Sequence, residues 1–175
     1  MPDLPGYSMR REGTEWSTVN NAKNVVEVLL GTAKDTILRD GSHSPMLFII
    51  TKDEVIVFLV WEFLKSDSGK DSLADLASKL IKRFDARGVA LITEGWMVRS
   101  EDGIKPEELP YIRASQHPAR IEVLQITSEW EDGSQFMRML RMMRNNEGKV
   151  NRLIEFDRES GWEEIGGRFC GFFKQ

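Results

Sequence analysis

Two consecutive apolar runs, separated by four residues, restrict the folds open to this chain more than any other feature. The runs are Met46–Ile50 and Val55–Val60, and they are rich in β-branched and aromatic side chains. Such composition is typical of strands, and the short separation predicts a hairpin. Neither run alternates with polar residues, so we expect both strands to be buried on both faces.

An amphipathic helical pattern precedes the hairpin and another follows it. Apolar residues recur at helical spacing over residues 18–39, and Asp40-Gly41 supplies a stop, which predicts a helix. A second apolar stripe runs from Leu73 to Phe84. Ser72, three residues before Asp75, is predicted to cap this second helix.

The rest of the chain is dominated by strand patterns joined by turns. Residues 99–118 contain three prolines and are predicted to form a long loop. The predicted strands are 89–98, 121–130, 135–144, 150–156 and 168–173.

Residues 135–144 are the ambiguous segment among these. Their methionines and leucine have high helix propensity, and their arginines recur every three residues. Asp132-Gly133 before the segment and Asn145–Gly148 after it are turn sequences of the kind that join strands. We interpret the segment as a strand, with a helix as the alternative.

The order of elements predicts an α+β fold with a mainly antiparallel sheet and both helices packed on one face. A length of 175 residues suits one domain. We therefore expect a flexible N-terminal arm over residues 1–15 and a single domain over residues 16–175.

Composition narrows the classes of function. A formal net charge of −4 and a pI near 5.4 argue against attraction of the whole molecule to nucleic acid or to anionic membranes. Cys170 is the only cysteine, which excludes an internal disulfide and fits a reducing compartment. No apolar stretch approaches the roughly 20 residues of a membrane helix, and residues 1–15 lack the apolar core of a signal peptide. We expect a cytoplasmic protein.

Few side chains suit catalysis or metal binding. His43 and His117 are the only histidines, and neither has the spacing of a metal motif, so we expect no metal and no cofactor. Glu94 lies within an apolar strand, where burial raises the pKa of a carboxyl group and suits it to acid or base chemistry. Pairing with an arginine such as Arg120 or Arg138 would make it structural instead. The candidate pocket comprises Glu94, Trp96, His117 and Arg120.

Basic side chains are concentrated between Arg138 and Arg152. Acidic residues at 129–132 and 155–164 are close enough in sequence to neutralise them within the sheet. Cross-strand ion pairing is therefore our interpretation, and contact with a phosphate backbone is the alternative.

Two segments resemble a known group of proteins. Thr93-Glu94-Gly95-Trp96-Met97-Val98 and His117-Pro118-Ala119-Arg120-Ile121-Glu122-Val123-Leu124 flank the proline-containing loop. The pattern is similar to a group of uncharacterised bacterial and phage-borne proteins with an acidic-Gly/Ala-Trp-Met strand and a P-x-R-x-E-x-L strand. The resemblance implies a domain family without an assigned activity, and it highlights Glu94, Trp96, Arg120 and Glu122.

Three functions remain open at this point. The first is a non-enzymatic interaction or assembly module that binds itself, as a homo-oligomer, or another protein. The second is a small-molecule-binding protein or enzyme with a cleft near Glu94, His117 and Arg120. The third is weak nucleic-acid binding through Arg138–Arg152, which we rank last because of the net negative charge.

Overall fold

One antiparallel sheet organises the protein. The computed structural model describes residues 4–99, 107–108, 113–156 and 168–173. Within these residues the strands are β1 (Gly6–Arg10), β2 (Met46–Ile50), β3 (Glu54–Leu59), β4 (Gly88–Met97), β5 (Ile121–Trp130), β6 (Gln135–Arg144) and β7 (Val150–Glu155). They form a seven-stranded sheet in the order β1-β3-β2-β4-β5-β6-β7, and all neighbours are antiparallel. With two α-helices, α1 (Ala22–Asp40) and α2 (Asp67–Arg83), this confirms the α+β prediction.

Local capping sets where the helices begin. The Asn21 side chain accepts a hydrogen bond from the amide of Asn24 at 2.8 Å, so α1 begins at Ala22 rather than near residue 18. The Ser66 hydroxyl accepts one from the amide of Gly69 at 3.0 Å. The prediction that Ser72 caps the second helix was therefore wrong, because α2 begins five residues earlier, at Asp67.

The two helices lie on opposite faces of the sheet, so the prediction of a single helical face was wrong. Phe48 and Ile50 of β2 pack with α1, whereas Leu47 and Ile49 pack with α2. Side chains alternate between the faces of a strand, and β2 is apolar at every position. Each face of β2 therefore needs its own cover. We call the two sides of the sheet the α1 face and the α2 face.

The N-terminal residues are tied to the sheet. Gly6–Arg10, assigned to a flexible arm by the sequence, form edge strand β1 and pair with β3. Arg11 follows, is buried, and donates hydrogen bonds from its guanidinium to the carbonyls of Trp16 (3.1 Å) and Thr51 (2.7 Å). The expectation of a loose arm was wrong at these positions, because β3 would otherwise have an unpaired edge.

The predicted strand at 135–144 is confirmed as β6, and the one predicted at 168–173 was wrong. Residues 168–173 form bends instead. Their aromatic side chains, Phe169, Phe172 and Phe173, pack against the apolar cluster on the α2 face.

Much of the predicted loop at 99–118 lies outside the described residues, although Ala114–Gln116 forms a 3-10 turn. Among the described helices, neither is long and apolar enough to cross a membrane.

Candidate functional site

The end of β4 carries two of the four predicted pocket residues. Glu94 and Trp96 are two positions apart on this strand, and their register partners on β5 are Leu124 and Glu122. Residues two apart share a face, and Leu124 belongs to the core beneath α1. Glu94 and Trp96 therefore lie on the α1 face.

The carboxylate of Glu94 is half-buried and accepts a hydrogen bond from the backbone amide of His43, in the loop after α1. Burial raises the pKa of Glu94, and the nearby charge of Glu122 adds to this, whereas the amide of His43 and the charge of Arg144 lower it. His43 is buried beside it, and burial lowers the pKa of its imidazole. Glu94 is therefore held by a loop amide rather than by Arg120 or Arg138.

A salt bridge next to Glu94 connects four separate segments. The guanidinium of Arg144 donates to the carboxylate of Glu122 from Nε at 2.7 Å and from Nη2 at 2.5 Å. Its Nη1 also donates to the carbonyls of Gly148 at 2.9 Å and Gly41 at 3.4 Å. These contacts fix the end of α1 against β5, β6 and the turn after β6.

Trp96, His117 and Arg120 come together at the surface. Trp96 is 45% exposed, and the guanidinium carbon of Arg120 lies 5.0 Å from the centre of its indole ring, within range of a cation–π interaction. Arg120 also donates to the carbonyl of His117 at 3.3 Å. Nδ1 of His117 accepts from the amide of Ala119 at 3.1 Å, which places the proton of a neutral ring on Nε2.

A cleft of 1210 Å³ opens on the α2 face. Thr93, Gln125 and Thr127 form its floor, and its walls come from the start of α2, residues 113–115 and residues 168–169. Glu94 and Trp96 contribute to its lining, but His117 and Arg120 do not. This cleft therefore includes two of the four predicted pocket residues.

Sequence reasoning missed the three floor residues. Gln125 and Thr127 alternate with apolar Leu124 and Ile126 along β5, and Thr93 lies directly opposite Gln125. That period-two alternation was visible in the sequence and marks one polar face of a strand. It did not indicate a cleft, because the walls come from segments far away in the chain.

The arginines between 138 and 152 are divided between the two faces. On the α1 face, Arg138 forms salt bridges with Glu27, at 3.1 Å, and with Glu155. Arg144 pairs with Glu122, also on that face. Arg141 points to the opposite face, because its neighbours Leu140 and Met142 are part of the core beneath α1. Ion pairing thus accounts for the two arginines of the α1 face.

Nowhere in the described ranges do three or more His, Cys, Asp or Glu side chains form a group able to hold a metal ion.

The stability of Glu94→Gln relative to the wild type is expected to increase as the pH rises from 4 to 7. Because the folded-state pKa of Glu94 is raised, its contribution to stability is fully present below the unfolded-state pKa, about 4.3. It is lost as the pH rises through the folded-state pKa. Glutamine does not ionise, yet its carbonyl oxygen can still accept from the His43 amide. The urea midpoint of Glu94→Gln, measured relative to that of the wild type, should therefore increase between pH 4 and pH 7. Glu147→Gln, in an exposed turn, is the control, and overlapping profiles of Glu94→Gln and wild type would contradict the prediction.

Comparison with known proteins places the chain in a family. Neither the curated proteins nor the solved structures contain a match to it. The family model described as bacteriophage lambda protein ea47 matches residues 3–161, in agreement with the resemblance to phage-borne proteins. Because this match covers most of the 175 residues, the chain belongs to the bacteriophage lambda protein ea47 family.

Proposed function

We propose that this protein is a non-enzymatic interaction module that forms a homo-oligomer through the surface around Trp96 and Arg120. The observation that carries the proposal is the exposed indole of Trp96 with the Arg120 guanidinium stacked 5.0 Å from its centre. Tryptophan and arginine are the residue types that contribute most to binding at protein interfaces. We also infer that it acts in the cytoplasm, since its one cysteine suits a reducing compartment.

Contacts within the chain surround the Trp96 surface. Trp96 lies on a strand, opposite Glu122. The carboxylate of Glu122 accepts hydrogen bonds from Nε and Nη2 of Arg144. Arg120 is held by the carbonyl of His117. Contacts of this kind within one copy reduce the conformational entropy that the side chains lose on binding, which favours association.

The same surface has the chemical complementarity that a symmetric dimer requires. In a two-fold interface each copy presents one patch to the same patch of its partner. Here each copy offers an aromatic ring and a cation, so Arg120 of one copy can interact with Trp96 of the other. Within the described part of the chain Arg120 has no carboxylate partner that would compete for it.

The polar groups around Glu94 fit a structural role better than a catalytic one. The Glu94 carboxylate is engaged by the amide of His43, and Glu122 is engaged by Arg144. A general acid or base must reach the proton it transfers, but His117 and Arg120 do not line the cleft that Glu94 borders. This separation favours an interaction module over an enzyme built on these four residues.

Trp96→Ala is expected to weaken self-association by about 30-fold, the effect of removing an interface residue that contributes roughly 2 kcal/mol. Sedimentation velocity over a range of concentrations measures the dissociation constant. Trp61→Ala is the matched control, because Trp61 is 49% exposed and also carries a cation, Lys65, over its ring at 4.1 Å. Wild-type protein that stays monomeric at all concentrations, or equal effects of the two substitutions, would contradict the proposal.

A further inference from the structure

We propose that the cleft on the α2 face binds a small hydroxylated molecule carrying an anionic group, of which a sugar phosphate is the simplest example. The floor of this site lies on the opposite face of the sheet from the Trp96 side chain, although Trp96 also borders the cleft. The inference rests on the floor of the cleft, on the charges of its walls and on its size, and it does not depend on self-association.

The hydroxyl of Thr127 is the first reason to expect a ligand. Thr127 is only 5% exposed and lines the cleft. Its side chain has no hydrogen-bond partner within the described residues. The hydroxyl oxygen borders the open cleft, where a bound molecule can reach it. A polar ligand in the cleft would supply the missing partner.

Two more polar side chains extend this floor in register. Thr93 of β4 lies directly opposite Gln125 of β5, and Thr127 follows two positions further along β5. All three side chains line the cleft. The side chains of Thr93 and Gln125 make no hydrogen bond to other described residues either. Two hydroxyls and one amide together offer donors and acceptors, which is what a molecule with several hydroxyl groups requires.

The charges of the walls favour an anion. Four basic residues line the cleft, Lys65, Lys70, Arg113 and Arg168. Asp67 is the acidic residue among its walls, and Glu94 borders the cleft with its side chain directed to the α1 face. Three of these cations already pair with carboxylates. Lys70 and Arg168 pair with Asp67, at 3.5 and 3.1 Å. Arg168 also pairs with Asp71 at 2.9 Å, and Lys65 pairs with Glu62 at 2.7 Å. Arg113 has no acidic partner in the described part of the chain.

The start of α2 adds to this preference. Ser66, Asp67 and Lys70, at the start of the helix, line the cleft, and the Ser66 hydroxyl accepts a hydrogen bond from the amide of Gly69. The N-terminal end of a helix carries partial positive charge and favours anions. Together with Arg113, it offers a phosphate or carboxylate group a place at the wall while the rest of the molecule contacts the floor.

The size of the cleft is compatible with such a ligand. Sites for small molecules commonly have volumes of about 300–1,000 Å³, and the cleft, at 1210 Å³, is slightly larger. A sugar phosphate would therefore fit together with several water molecules. Leu73, Leu91 and Phe169 provide apolar lining beside the polar floor.

An NMR titration of the full chain tests the proposal with three probes, namely ribose 5-phosphate, ribose and inorganic phosphate. We expect ribose 5-phosphate to shift the backbone amides of Thr93 and Thr127 and the side-chain amide of Gln125. Ribose and phosphate, each supplying half of the contacts, should bind at least about 10-fold more weakly. Absence of shifts at these residues with ribose 5-phosphate at about 10 mM would overturn the proposal. Equal affinity for ribose alone would overturn the anionic part, and equal affinity for inorganic phosphate would overturn the hydroxylated part.

Thr127→Val separates binding from folding. Valine has nearly the same shape as threonine but lacks the hydroxyl, so we expect affinity for ribose 5-phosphate to fall about 3- to 10-fold, the effect of one lost hydrogen bond. A dispersed amide spectrum shows that the variant is folded. Thr32→Val, on the exposed side of α1, is the control and should bind like the wild type. Unchanged affinity in folded Thr127→Val would refute the assignment of the floor.

Discussion

Leu80→Ala is expected to lower the free energy of unfolding by about 2–5 kcal/mol. Leu80 lies on the inner side of α2 and is 1% exposed. It belongs to the apolar cluster that α2 forms with β2 and β4, so its removal leaves a cavity between the helix and the sheet. The cost includes both the lost burial of the removed methine and methyl groups and the cavity itself. Urea denaturation monitored by tryptophan fluorescence measures the change.

Lys79→Ala is the control for this substitution. Lys79 precedes Leu80 on the same helix but is exposed, so replacing it removes no buried contact. Surface substitutions of this kind usually change stability by less than about 0.5 kcal/mol. A wild-type midpoint for Leu80→Ala would mean that α2 does not cover the sheet with this side of the helix.

The same packing explains which part of the fold could be predicted from the sequence. Strand composition and turn residues are local signals, and they located β2, β5 and β6 at the bounds that the structure shows. The sheet was also predicted to be antiparallel because short turns join its strands. The position of the helices was predicted wrongly, although the apolar run Met46–Ile50 contained the necessary information. A strand that is apolar at every position requires cover on both faces, and two helices can provide this only from opposite sides.

Long-range pairing explains what could not be predicted at the N-terminus. Residues 6–10 contain a glycine and polar side chains and show no strong strand pattern. They become β1 only because β3 offers them an edge, with Tyr7 opposite Val57. Such pairing depends on where the hairpin lies in the finished sheet, which a local pattern does not contain.

The candidate site shows the same division between local and long-range signals. A carboxyl group inside an apolar strand predicted burial, and burial does raise the pKa of Glu94. Its hydrogen-bond partner is the amide of His43, 51 positions away. Backbone amides carry no signal in the sequence, so an arginine was the natural expectation. The cleft combines segments from five parts of the chain, and only its polar floor had a local signature.

A buried carboxylate holds the C-terminal residues against the sheet, and its loss is expected to have the second large effect. Glu129 of β5 is 3% exposed. It accepts hydrogen bonds from the backbone amides of Gly171 at 2.6 Å and Phe173 at 2.8 Å, and from the side chain of Gln135 at 3.2 Å. Hydrogen bonds to a charged group contribute about 1.5–3 kcal/mol each, and an unpaired buried amide costs about 1–3 kcal/mol.

Glu129→Ala is therefore expected to lower the free energy of unfolding by about 2–5 kcal/mol. The variant can respond in two ways, and each lowers its free energy of unfolding. Either residues 168–173 stay in place with two amides lacking an acceptor, or they detach and expose the phenylalanines that pack on the α2 face. Urea denaturation measures the total cost. Hydrogen exchange at Gly171 and Phe173 identifies the outcome, because detachment accelerates exchange at these amides before the sheet unfolds.

Glu131→Ala provides the matched control, since Glu131 is two residues away and pairs with Arg87 at 2.5 Å while remaining exposed. An exposed ion pair contributes only about 0–1 kcal/mol, so this variant should remain close to the wild type in both measurements. Equal destabilisation by the two substitutions would show that charge at this end of β5, rather than the buried acceptor, determines stability. Faster exchange at Gly171 and Phe173 in Glu129→Ala alone would establish that the Glu129 carboxylate anchors residues 168–173. Since Arg168 and Phe169 belong to the wall of the cleft, the same anchor also maintains the shape of the proposed ligand site.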